Sequence, residues 1–269
     1  MTHANAEFTG SIPAVYDRCL GPLLFEPYAQ DLEHRFDWSA HDNILELACG
    51  TGILTTHLSR AMSPRAKLTA TDLNPDMLAI AQTKKVPGNI EWRAADAGQL
   101  PFADGSFDAV ACQFGVMFFP DKAAALREVR RVLTPGGLLA FSVWGSHEQN
   151  PFGALAKEIT QQFFTRDPPV FYDIPFGFPD QGFWRGLLTS ASLDVKSADV
   201  VRLTGVSATA RAVAEGMIAG NPALLAIQER ATASPEAIID HATGVIAARY
   251  GNEPCRLPLL AVVFGANAI

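Results

Sequence analysis

Three acids and a pair of glycines carry the clearest chemistry in this chain. Glu46 opens the stretch ELACGTG, which puts Ala48, Gly50 and Gly52 in one short loop. Glycines there let the backbone approach a ligand where side chains would collide. Asp72 follows 20 residues after Gly52, and Asp96 closes a further strand-like run. A carboxylate at Asp72 suits a ribose diol, since it accepts charge-assisted hydrogen bonds that are stronger than neutral ones. Asp96, with the apolar residues of AADAGQLPF beside it, suits an adenine amino group. A dinucleotide such as NAD and S-adenosylmethionine (SAM) both present such groups.

These residues need a scaffold of alternating strands and helices. Residues 12–36 read as helical with proline breaks. Strands are then expected at 43–48, 67–73, 90–96, 107–114 and 137–144, and helices at 52–62, 75–85 and 121–133. Pro75 starts its helix where a missing N–H costs nothing, and TPGG (134–137) reads as a stop and turn. The nearly all-apolar fifth strand, GLLAFSVW, fits a parallel sheet covered on both faces. Beyond it come a helix at 151–164, an aromatic, proline-broken loop to 184, a helix end and strand at 187–203, and an Ala-rich helical stretch at 207–250. A last strand at 258–269 is expected to close the sheet's edge as a hairpin partner of the one before. The fold class is therefore α/β: a doubly wound, mostly parallel, seven-stranded Rossmann-like sheet with a helical and aromatic cap after strand five. As one domain overall, it divides into an N-terminal helical lid (1–40), a ligand-binding core (41–145) and cap helices that complete the sheet (146–269).

Composition narrows the partners. A formal net charge of −7 argues against a nucleic-acid backbone, which needs clustered Lys and Arg. Lys84–Lys85 and Arg127 with Arg130–Arg131 read as solvated helix ends or faces. The four cysteines (Cys19, Cys49, Cys112, Cys255) make no CxxC pair, so no metal site is expected. The N-terminus lacks a basic region followed by a long apolar run, and no stretch approaches 18 apolar residues. A cytoplasmic protein without a membrane span is the expectation, its oligomeric state unread.

The loop runs Gly50-Thr51-Gly52-Ile53-Leu54-Thr55, so the third glycine of a dinucleotide fingerprint is missing. Together with ELACGTG, Asp72, Asp96 in AADAGQLPF, LPFADGSFDAVACQFGVMFFPD and LREVRRVLTPGGLLAFSVW, this closely resembles the class I SAM-dependent methyltransferases, in the small-molecule branch that includes quinone-biosynthesis C-methyltransferases. The resemblance covers about residues 40–145. One departure is Ala48, where the family often has the first glycine of G-x-G-x-G. The resemblance implies SAM as cofactor and S-adenosylhomocysteine as product. Gly50 and Gly52 would border the methionine and ribose portions, Glu46 the ammonium, and Asp72 the ribose diol. Leu73 and Met77 would sandwich the adenine, Asp96 and Ala97 would meet its amino-group edge, Gln113 would contact the cofactor from strand four, and Tyr16 would cover it from the N-terminal helix.

The acceptor is less legible. A sulfonium-activated methyl needs mainly alignment and desolvation, with a base only where the acceptor must lose a proton. His147, just past strand five, is the candidate base; His241 is a weaker one. Residues 163–184 hold eight of the chain's 25 aromatic residues, which favours a flat or apolar acceptor. Phe118, Trp144, Phe171, Tyr172, Phe176 and Trp184 are the candidate pocket wall. CQFG replaces the N-P-P-Y type motif used on exocyclic amines of nucleic acids. Methyl transfer to oxygen or carbon of a small molecule is the leading expectation. A SAM-binding regulatory protein without transfer activity and a nicotinamide-dependent oxidoreductase are the alternatives.

Overall fold

The computed structural model describes residues 7–269; the first six residues of the expected lid lie outside that range. Among the described residues, seven strands form one sheet: β1 (Asn43–Glu46), β2 (Lys67–Asp72), β3 (Asn89–Ala94), β4 (Phe107–Gln113), β5 (Leu133–Trp144), β6 (Leu193–Ser207) and β7 (Cys255–Ala268). Their order is β3-β2-β1-β4-β5-β7-β6. β1 runs parallel to β2 and β4, β2 to β3, and β4 to β5, while β7 lies antiparallel to β5. The expected doubly wound, mostly parallel sheet is present.

Two details of the sheet differ from expectation. The last strand does not close the edge: β7 sits between β5 and β6, and β6 takes the edge. The burial patterns give the reason. β7 is buried almost continuously from Leu259 to Phe264, whereas β6 exposes residues along most of its length, and an edge strand is the one with a free side toward water. TPGG also lies inside β5 as a bulge. Phe107 pairs with Leu133 but Ala109 pairs with Leu138, and Gly136 adopts the left-handed φ of 79° that the extra residues require.

Helices α1 (Ile12–Val15) and α2 (Glu26–Arg35) flank a π-helical run, Tyr16–Phe25. Pro22 lies inside the π-helical run, so the segment is not broken there as expected. The crossover helices are α3 (Ile53–Ala61), α4 (Pro75–Thr83) and α5 (Lys122–Val132), the last capped by Asp121, which accepts from Ala124 N–H at 2.8 Å. Arg131, read as part of a solvated helix end or face, instead pins the β3–β4 connection. It donates to the carbonyls of Phe102 (2.7 Å) and Leu100 (3.0 Å) and pairs with Glu128 and Asp104. Later helices are α6 (Pro151–Phe163), α7 (Gln181–Ser190), α8 (Ala210–Ala219), α9 (Ala223–Arg230) and α10 (Pro235–Tyr250). α7 begins inside the expected loop because Asp180 caps it, accepting from Gly182 N–H and Phe183 N–H.

The chain gathers into two compact units. One comprises Tyr28–Trp144, Phe178–Val201 and Ala261–Ile269; the other comprises the chain through Pro27, Gly145–Gly177 and Arg202–Leu260. The boundary thus falls inside both the expected lid and the expected cap. Among the described residues, no helix is long and apolar enough to cross a membrane.

Candidate functional site

The site of the first unit is built where β1 ends. Leu47 N–H bonds to Ala111 O and Cys49 N–H to Thr71 O, both at 2.9 Å, so the chain beyond β1 stays strapped between β4 and β2. It then turns through three left-handed residues, Ala48 (φ 50°), Gly50 (φ 56°) and Gly52 (φ 78°). The two glycines have different tasks. A Cβ at Gly52 would come within 3.0 Å of the Trp92 ring and 3.1 Å of Ala81 Cβ, so its bareness serves packing of the loop on α4 and β3. A Cβ at Gly50 would meet only the Met77 methyl, at 3.4 Å, so there the backbone stands open.

Ala48, the family departure, has its explanation in Gly115. A Cβ at residue 115 would lie 2.5 Å from Ala48 Cβ and 2.8 Å from Cys112 Sγ. The methyl at 48 occupies space that Gly115 leaves vacant. Sequence reading missed Gly115, although it stands in the quoted CQFGV; its signal was a second glycine opposite the substituted one.

Glu46 and Asp72 are both buried, at 1% and 6% exposure, but are treated differently. Asp72 Oδ2 accepts from Gly50 N–H at 2.8 Å, and Oδ1 accepts from Asn74 N–H at 2.8 Å and from Asn74 Nδ2 at 3.4 Å. Burial raises the Asp72 carboxyl and these donors pull it back. Glu46 Oε2 is buried without a hydrogen-bond partner. Burial pushes its carboxyl up to about 8, and the nearby Asp72 adds to this, while Thr55 on the first turn of α3 opposes it. The hydroxyl of Thr51 is also buried and unpartnered.

Around this pair lie the other predicted cofactor residues. Leu73 is 48% exposed, unusual for a large apolar side chain, and Met77 is buried. Asp96 is exposed and sits past the end of β3, not within it. Its Oδ1 accepts from Gly98 N–H at 2.8 Å in a tight turn that leaves Ala97 buried. Gln113 ends β4 half-buried opposite Ser142, and Phe114 follows in a left-handed conformation (φ 53°).

The candidate wall residues of this unit separate into two groups. The Trp144 ring stacks on Phe114 at 3.8 Å, with the buried Tyr28 edge-on to both, and Phe118 is half-buried in a short turn after β4. Trp184 is fully buried on α7. It donates Nε1–H to Phe178 O at 2.9 Å and packs against Phe141, so it serves the core.

The second unit holds Tyr16, His147, Phe171, Tyr172 and Phe176. Tyr16 stacks on Phe25 with centroids 4.7 Å apart. Tyr172 donates to Met217 O at 2.6 Å and accepts from Asn221 Nδ2 at 2.8 Å, and its neighbour Phe171 is buried. Phe176 fills the space left by Gly153, where a Cβ would stand 2.3 Å from its ring. His147 has both ring nitrogens buried without a hydrogen-bond partner, with Nε2 3.7 Å from Asp173 Oδ1 and its ring 5.0 Å from that of Phe176. Burial lowers its basicity, against the pull of Asp173. His241 is instead engaged with Gln162 at 2.9 Å. Among the described residues, no group of three or more His, Cys, Asp and Glu side chains is arranged to hold a metal ion.

The glycine turn and the two buried acids lie at the carboxyl ends of β1 and β2, the edge at which open α/β sheets bind ligands. A family model described as a methyltransferase domain matches residues 45–141. The chain is 36% identical over 170 residues to the demethylmenaquinone methyltransferase of Lactococcus lactis, an alignment covering 59% of this chain and 67% of that protein. It is 43% identical over 121 residues to the ubiquinone/menaquinone biosynthesis C-methyltransferase UbiE of Hahella chejuensis, covering 44% of this chain and 48% of that one. The chain thus spans about half the length of the Hahella relative. Among solved structures, the (4+2)-cyclase SpnF shares the fold at a TM-score of 0.62 and 16% identity, over 98% of this chain and 94% of SpnF. The chain belongs to the class I SAM-dependent methyltransferases. Membership implies SAM as the cofactor and sets the nicotinamide alternative aside. The residues present fit it: Glu46 offers an unpartnered buried oxygen, and Gly50 an open stretch of backbone.

Proposed function

We propose that this chain transfers a methyl group from SAM to a small aromatic or apolar acceptor, at carbon or oxygen. The observation that carries the reading is the unpartnered, buried Glu46 oxygen beside an Asp72 that holds Gly50 in place. When bound, SAM supplies a methyl group already activated by its sulfonium. The protein's own tasks are then to bind, orient and exclude water. Glu46 takes the ammonium group, and Asp72, with acceptor capacity left beyond its backbone bonds, takes the ribose diol. Exposed Leu73 and buried Met77 flank the adenine, and Asp96 with Ala97 meets its amino edge. Gln113 contacts the cofactor from β4.

We read Phe118, next to the buried Phe114–Trp144 stack, as part of a flat, apolar wall suited to a ring. The names of the relatives, C-methyltransferase in quinone biosynthesis and demethylmenaquinone methyltransferase, favour carbon of a quinone-type ring. His147, in the second unit, is our candidate base where the acceptor must lose a proton. Its lowered basicity keeps the ring neutral, and so proton-accepting, at neutral pH.

The test is transfer of label from methyl-labelled SAM to a panel of hydroquinones, naphthols and phenols. Label in an organic-soluble product is expected. Its absence across the panel, with SAM binding intact, contradicts transfer to such acceptors and favours a regulatory SAM-binding protein. His147→Ala is expected to slow transfer about 10²–10⁴-fold; an unchanged rate removes the base role.

A further inference from the structure

We propose that Glu46 is a neutral carboxylic acid in the free protein and surrenders its proton when the ammonium group of the cofactor arrives, so that binding SAM releases one proton. This rests on the reading that the crevice binds SAM. It adds a regulation of that site: affinity set by pH through a residue of the protein.

The geometry divides two neighbouring carboxyls into unlike roles. Asp72 has three donors on its oxygens, the backbone N–H groups of Gly50 and Asn74 and the Asn74 amide. Such bonds favour a carboxylate. Glu46 is 1% exposed, its Oε2 has no partner, and Thr55 is its polar neighbour. Two carboxyls sharing one buried space are separated in this way: donors on Asp72 oppose the burial that raises it, and Glu46 Oε2 has no such donor. The groups facing Glu46 are Asp72 from β2, Cys49 from the loop and Cys112 from β4, all acidic when they ionise. α3 contributes Thr55, while its His57 is paired with Glu33 at 2.5 Å. No cation among the described residues acts on Glu46, and burial raises its carboxyl to about 8. An arriving ammonium supplies the missing cation. The proton leaves Glu46 for solvent, and a carboxylate–ammonium pair takes the place of the neutral acid.

The experiment is calorimetric titration of the whole protein at pH 7 in two buffers of different ionisation enthalpy, with three probes. SAM and S-adenosylhomocysteine carry the ammonium; 5′-methylthioadenosine lacks it. About one proton released with each of the first two, and none with the third, is expected. Affinity for SAM should then rise about 30-fold from pH 5.5 to 7, as one exchanged proton requires. Glu46→Gln should bind SAM more weakly, with the proton release and the pH slope gone. SAM binding without proton release overturns the inference and leaves the cofactor reading standing, as does an equal release by Glu46→Gln. Failure of SAM to bind a folded protein at any of these pH values overturns both.

Discussion

The Glu46–Asp72 crevice and the aromatic stretch around Tyr172 are both buried, yet they treat polar atoms in opposite ways. The Tyr172 hydroxyl is closed on itself: it donates to Met217 O and accepts from Asn221. Glu46 Oε2 and the Thr51 hydroxyl are buried and left open. Native interiors pair nearly all buried polar groups, so an unpaired one asks for a reason. We read the closed group as architecture and the open Glu46 oxygen as a place kept for the proposed cofactor. His147 is an intermediate case: neither ring nitrogen has a hydrogen-bond partner, yet Nε2 lies 3.7 Å from Asp173 Oδ1.

Substitutions can break or sharpen that contrast. The largest effect is expected from Asp72→Ala, which removes the anchor of Gly50 and Asn74 as well as the proposed ribose acceptor. SAM affinity should fall about 100-fold, close to 3 kcal/mol, the upper end for hydrogen bonds to a charged group. Unchanged affinity in calorimetry of a folded variant would remove Asp72 from the site. Glu46→Gln tests the open carboxyl through folding. The Glu46 carboxyl is raised from 4.5 to about 8, so its contribution to stability is full below pH 4.5 and is lost as pH climbs through 8. Urea unfolding should show the Gln variant gaining on the parent between pH 5 and 8, on the order of 3 kcal/mol. A constant difference would mean that Glu46 is charged throughout.

Gly115→Ala comes next. Its methyl would collide with Ala48 and Cys112, at a cost of about 2 kcal/mol for overpacking. Ala48→Gly in the same chain should restore part of the loss, and no restoration would mean that the two positions are not coupled. The smallest effect is on the closed side. Tyr172→Phe should cost about 1 kcal/mol of stability and leave SAM affinity unchanged; a clear fall in affinity would erase the distinction between the two regions.

Much of the crevice was legible because its signals are local. An apolar strand, a glycine turn and an acid ending the next strand are all consequences of short-range chain geometry. Strand order was less so. That β7 lies inside the sheet depends on how continuously it is buried, and its sequence, PLLAVVFG, reads equally well as an edge or an interior strand. The aromatic run 163–184 looked uniform, yet Asp180 starts a helix within it and sends Trp184 to the core, while Phe171 and Tyr172 join the other unit. Gly115 was invisible for a similar reason: its task exists only once β4 is beside β1. Residues that act through neighbours distant in sequence leave no periodicity to read.

The crevice as a SAM site is tested most directly by titrating the purified protein with SAM, S-adenosylhomocysteine and NAD in a calorimeter. Micromolar binding of the first two with no heat from NAD is the expected result. Binding of NAD alone, or of none of the three to a folded protein, would contradict it.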